Sequence, residues 1–180
     1  MAKRRSKRVA VVHCGGGSTL LPHIVRDELP QDCVAILRRY PQGIQACRFS
    51  CLGGGSCVLA CKMGAINVGD AGVAKVERTS CIGCGACVRA CPQHLIELVP
   101  VNNTIYVACS NEQDASEARK LCSCSCIGCG ICVRNCPAKA IELRQHRAQI
   151  DQELCIACGM CATVCPRAAI HDSVGIFTVD

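Results

Sequence analysis

Cys81-Ile82-Gly83-Cys84-Gly85-Ala86-Cys87-Val88-Arg89-Ala90-Cys91-Pro92 decides how this chain folds. Three cysteines at x2 spacing are closed by a fourth after three residues, and proline follows. Cysteine thiolates at this spacing hold 4Fe–4S clusters. The run recurs at Cys126, Cys129, Cys132, Cys136 before Pro137, and at Cys155, Cys158, Cys161, Cys165 before Pro166. A looser run, Cys47-x3-Cys51-x5-Cys57-x3-Cys61, precedes Lys62. Together the four runs use 16 of the chain's 21 cysteines.

The repeat extends past the cysteines. Five residues after the last cysteine of each run stands an isoleucine: Ile66, Ile96, Ile141 and Ile170. Each is expected to start a short strand that turns back in a hairpin. Return strands are expected at Val73–Val76, Thr104–Val107, Ala148–Ile150 and Ile176–Val179. Gly69-Asp70, Asn102-Asn103 and Gly175 suit the turns.

Spacing groups the runs in pairs. Cys61 to Cys91 is 30 residues, Cys91 to Cys136 is 45, and Cys136 to Cys165 is 29. The expected fold is therefore α+β: two tandem two-cluster ferredoxin modules behind a small N-terminal α/β extension. The divisions are a basic tail at 1–8, the extension at 9–46, the first module at 47–108, a linker at 109–125 and the second module at 126–180. The polar run from Ser110 to Lys120 reads as a short exposed helix. In the extension, Arg8–His13 and Cys33–Leu37 read as strands around a helix near Leu20–Glu28.

In two-cluster modules the fourth cysteine of each run ligates the other cluster. Four 4Fe–4S clusters are thus expected. One takes Cys47, Cys51, Cys57 and Cys91; the second Cys81, Cys84, Cys87 and Cys61. The third takes Cys126, Cys129, Cys132 and Cys165; the fourth Cys155, Cys158, Cys161 and Cys136. Cys14, Cys33, Cys109 and Cys122 remain. They read as buried free thiols, with a fifth cluster on these four as the alternative. Cys124 has no assigned role.

Rival chemistries fit less well. Disulfides need a secreted chain, and the apolar run after the basic start, Val9 to Val12, is too short for a signal peptide. Zinc sites pair two C-x2-C units across a longer gap. Cys122-x3-Cys126-x2-Cys129 matches a radical SAM triad, but no barrel-sized domain accompanies it. Gly15-Gly16-Gly17-Ser18 follows a strand, yet it lacks the third glycine of a dinucleotide loop and the lysine of a P-loop. The five histidines follow no ligand spacing, and no group resembles a catalytic acid, base or nucleophile.

The formal charge is +6. Four thiolate-held clusters would each add about −2, bringing the loaded protein near −2. Bulk charge therefore gives no argument for nucleic acid, and four aromatic residues are too few for base stacking. No stretch is long enough for a membrane span.

The run from Val9 to Asp180 resembles the cytoplasmic part of the B subunit of Rnf electron-transport complexes. The carrying segments are VAVVHCGGG (9–17), DCVA (32–35), ACRFSCLGGGSCVLACKMGAI (46–66), CIGCGACVRACPQHLIELVPV (81–101), VACSNEQ (107–113) and CSCIGCGICVRNCPAKAIEL (124–143). The resemblance implies a cytoplasmic multi-cluster electron wire within a complex, peripheral to the membrane at most. Its partners would be other oxidoreductase subunits that carry flavin or iron–sulfur centres. The family's subunit starts with a transmembrane helix and a further cluster domain of C-x2-C-x4-C-x16-C spacing. This sequence shows neither, so membrane anchoring and ion pumping are not expected to carry over. The alternative is a free-standing soluble polyferredoxin shuttle, which would be stable and monodisperse alone.

With so few aromatics, the core is thin and ligand binding must supply much of the folding energy. Stripping the clusters should leave the chain largely unfolded. Circular dichroism of a cluster-free preparation checks this, and a native-like spectrum would count against it.

Overall fold

The computed structural model describes residues 7–175. Among these, β1 (Arg8–Val12) is followed by a one-turn 3-10 helix at Arg26–Glu28 and by α1 (Cys33–Arg39). Then come α2 (Ser56–Leu59), β2 (Ile66–Val68), β3 (Ala74–Val76), α3 (Ala86–Ala90) and β4 (Ile96–Pro100). The second half holds β5 (Ile105–Val107), α4 (Ala115–Leu121), α5 (Ile131–Arg134), β6 (Ile141–Arg144), β7 (Arg147–Ile150), α6 (Met160–Thr163) and β8 (Ile170–Asp172).

Each half repeats one plan. A strand leads, a hairpin sits in the middle, and a last strand returns to pair with the first. In the first half, β1 pairs antiparallel with β4, Val12 opposite Ile96 and Arg8 opposite Pro100. The β2–β3 hairpin sets Ile66 opposite Val76. In the second half, β5 pairs with β8, Val107 opposite Ile170, around the β6–β7 hairpin.

One hairpin expectation is therefore corrected. Of the expected Thr104–Val107 strand, Ile105–Val107 forms, but it does not return onto Ile96–Pro100. It crosses to Ile170–Asp172 in the other half. The expected return strand at Ile176–Val179 lies outside the described residues. β1 pairs along the whole of β4, with Val9, Val11 and Val99 buried together, while Ile105 and Val107 of β5 are buried with Ile170 in the second core.

The extension is also corrected. Cys33–Leu37 is helical, not a strand. Asp32 caps it by accepting from the Val34 amide at 2.7 Å, and the helix buries Cys33 and Ile36 one turn apart. Of the helix expected near Leu20–Glu28, the Arg26–Glu28 turn alone forms. The polar run after Ser110 does hold a helix, α4, capped by Asp114 on the Ser116 and Glu117 amides.

The cores are aliphatic and sulfur-rich. Val9, Val99, Leu95 and Ile96 pack with Cys57, Cys81 and Cys87 in the first half. Ile105, Val107, Ile141 and Ile170 pack with Cys132 and Cys161 in the second. Ile24, Ile36, Ile44 and Leu52 form a third cluster over Cys33. Since β5 belongs to the second core, Ile105→Ala should destabilise that half by about 2–5 kcal/mol. Denaturant unfolding followed by circular dichroism should show an earlier transition, and an unchanged midpoint would contradict the crossover.

Candidate iron–sulfur sites

The four cysteine loops share one backbone path, set by left-handed residues at fixed places. Two residues after the first cysteine of each compact run, φ is positive: Gly83 at 68°, Gly128 at 61° and Ala157 at 53°. Two residues later it is positive again, at Gly85, Gly130 and Gly159. Three residues after the last cysteine it is positive at His94, Lys139 and Ala168. Such turns wrap the chain around a centre and aim amide N–H groups inward.

The front loop has the same path, but in a register that differs from the expected one. Its left-handed residues are Gly53, Gly55 and Gly64. Cys51 therefore stands at the first-cysteine position, Cys57 at the third and Cys61 at the fourth. Laid over Cys81-x2-Cys84-x2-Cys87, the stretch reads Cys51-x2-Gly54-x2-Cys57. Gly54 occupies the place of the second cysteine.

A thiol from α1 stands beside this loop. Cys33, Cys51, Cys57 and Cys91 line one apolar pocket with Val12, Leu52 and Leu95. Gly54 makes room for this: a Cβ there would lie 2.7 Å from Ile36 Cδ1 and 2.9 Å from the Cys33 amide nitrogen. The lining of this pocket differs from the expected set of Cys47, Cys51, Cys57 and Cys91. Cys33 joins the pocket, and Cys47 is not among its lining residues. The signal lay in the sequence, since CLGGGSC and CIGCGAC align without a gap.

The other expected groupings are placed as follows. Cys126, Cys129, Cys132 and Cys165 line one pocket. Cys136, Cys155, Cys158 and Cys161 line another. Cys87 lies within electrostatic reach of Cys81 and Cys61. Cys84 is exposed on the same loop. Among the described residues no three donors converge closely enough for a single ion. In the lined pockets the thiols ring an apolar space instead.

The sulfurs are met by amides. The amide four residues on from the last cysteine donates to it in three loops: Leu95 to Cys91 at 3.4 Å, Ala140 to Cys136 at 3.3 Å and Ala169 to Cys165 at 3.3 Å. Ala157 donates to Cys155, Ala148 to Cys126 and Ala10 to Cys81. Such bonds stabilise a thiolate and tune a cluster's potential. Four ringed thiols, apolar walls and inward amides together fit a 4Fe–4S group.

Without metal these thiols resist ionisation. Burial pushes Cys57 and Cys161 up to about 12 and Cys132 up to about 11. Cluster loading must therefore displace protons.

The remaining cysteines lie elsewhere. Cys14, Cys47, Cys109, Cys122 and Cys124 gather where the Cys14–Ser18 loop meets residues 109–111 and 122–124. Ser123 N donates to Gly17 O at 3.0 Å, and Cys47 N donates to Ser18 Oγ at 2.9 Å. Of the expected extra group of Cys14, Cys33, Cys109 and Cys122, Cys33 lines the front pocket instead. Cys124, which had no expected role, is in the gathering.

These loops define an iron–sulfur protein built from repeated cluster-binding halves. The chain belongs to the 4Fe-4S dicluster domain family: one such family description matches 50–96 and 80–141, together just over half of the 180 residues, and a second of the same description matches 125–169. It is 40% identical over 116 residues to the B subunit of the proton-translocating ferredoxin:NAD(+) oxidoreductase complex of Clostridium ljungdahlii, covering 64% of this chain and 40% of that protein. It is 36% identical over 117 residues to the B subunit of the Na(+)-translocating ferredoxin:NAD(+) oxidoreductase complex of Acetobacterium woodii, covering 65% of this chain and 35% of that one. The chain thus spans about two fifths or less of the curated relatives it matches. Both relatives are of the kind that the sequence resembles.

Cys33→Ala should cost the front pocket one thiolate of four, lowering bound iron by about one to four atoms per chain. Iron analysis of the anaerobically purified variant checks this. A count equal to the parent's would remove Cys33 from the site.

Proposed function

We propose that the chain is the iron–sulfur electron-transfer part of a multi-subunit oxidoreductase. The observation that carries this is the fourfold repeat of one sulfur-wrapping backbone path. Cys33, Cys51, Cys57 and Cys91 would hold one 4Fe–4S cluster, and Cys61, Cys81, Cys84 and Cys87 a second. Cys126, Cys129, Cys132 and Cys165 would hold a third, and Cys136, Cys155, Cys158 and Cys161 a fourth. Each bound cluster supplies a one-electron couple. The residues around it set the potential through amide–sulfur bonds and exclude water with aliphatic walls.

The arrangement also offers places for partners. Cys84, Cys129 and Cys158, the second cysteines of the three compact loops, are exposed. Beside two of them lie apolar side chains open to solvent: Ile82 is 58% exposed, Ile156 64% and Met160 47%. A partner's redox centre would approach there across a dry contact. The partners would be other subunits of a complex, as the names of the relatives suggest, carrying flavin or iron–sulfur centres. Among the described residues no helix is long and apolar enough to cross a membrane.

Anaerobic titration with dithionite tests the reading. The visible absorbance should bleach reversibly with about one electron per cluster. Zinc without acid-labile sulfide, or colour that no reductant bleaches, would sink it.

A further inference from the structure

Five cysteines outside the four loop sets meet at the seam between the halves. Asn111 links two of them: its amide donates to Cys109 Sγ at 3.4 Å, and its side-chain Nδ2 lies 3.7 Å from Cys47 Sγ. Cys122 and Cys124 place their sulfurs 3.7 Å apart. Cys124 Sγ packs on the Cys14-Gly15-Gly16-Gly17 loop, where a Cβ at Gly15 or Gly17 would come within 2.8 Å or 2.7 Å of it. Cys47 is the hub, within electrostatic reach of Cys14, Cys109, Cys122 and Cys124.

These thiols also carry the signature of the loop cysteines. At Cys155 the amide two residues on donates to the sulfur. The same local bond forms at Cys14 from Gly16, at Cys47 from Phe49, at Cys109 from Asn111 and at Cys122 from Cys124. Inert buried cysteines behave as small hydrophobes, and packing alone does not call for four such amide-capped sulfurs around one point.

We propose that Cys14, Cys47, Cys109 and one thiol of the Cys122–Cys124 pair hold a further 4Fe–4S cluster that joins the two halves into one electron path. This rests on the reading that the loops themselves carry 4Fe–4S clusters. The position suits a bridge. Cys14 Sγ accepts from the amide of Cys51, a ligand of the front site, at 3.4 Å. Cys109 Sγ accepts from the amide of Cys126, a ligand of the third site, at 3.3 Å. The seam site is thus one hydrogen bond from a cluster loop on each side. A cluster held there would pass one electron at a time, from a reduced centre on one side to an oxidised centre on the other, with no bond made or broken.

Iron and acid-labile sulfide per chain, measured after anaerobic purification, test this directly. About 20 of each is expected, since each cubane holds four of both. About 16 would overturn the seam cluster and leave the loop reading intact. About 12 or fewer, or zinc without sulfide, would sink the loop reading and the seam site with it. Cys47→Ala should lower the count by about four while the Cys33→Ala loss, from the front pocket, adds to it in the double variant. A Cys47→Ala protein with the parent's count would overturn the proposal. Should that variant fail to fold, the parent's count decides alone.

Discussion

Backbone amides pointing at cysteine sulfur are the constraint on which this structure depends. A loop can present several N–H groups to one centre only if its path reverses sharply, and that demands left-handed backbone. The chain meets the demand with glycine at most positions and with Ala157, His94, Lys139 and Ala168 at others. The non-glycine residues accept strain there. The short helices α2, α3, α5 and α6 each begin just after such a turn, and each buries the third cysteine of its run.

Much of this is legible in the sequence. The spacing of the three compact runs and the isoleucine that follows each mark out the loops and the strands after them. The pairing of those strands was not legible, because β1 reaches β4 and β5 reaches β8 across more than sixty residues each. Local pattern favours hairpins, and two segments with hairpin-like sequence pair elsewhere. Cys33-Val34-Ala35-Ile36-Leu37 misled for a similar reason. Its run of apolar residues suits a strand, but the Asp32 cap and the one-turn spacing of Cys33 and Ile36 decide for a helix.

The two halves also correspond more deeply than their cysteines show. In each, a long insertion separates the leading strand from the first cysteine loop: 13–50 in one half, 108–125 in the other. The first insertion brings Cys33 to the front pocket. Both insertions bring thiols to the seam, with Cys14 and Cys47 from the first, and Cys109, Cys122 and Cys124 from the second. The segment 109–125, which sequence spacing suggests as a linker, is packed: Cys109, Asn111, Ala118 and Ser125 are all buried.

The presence of Gly54 in the loop and of Cys33 beside it would alter how a cluster in the front pocket meets oxygen. In the compact loops the second cysteine is an exposed corner through which dioxygen or peroxide would reach a bound cluster. At the front that corner is a buried thiol on α1, roofed by Ile24, Ile36, Ile44 and Leu52. Oxidative damage would therefore begin at the outer loops and reach this site last, so that the chain loses its exposed contacts with partners before it loses its interior.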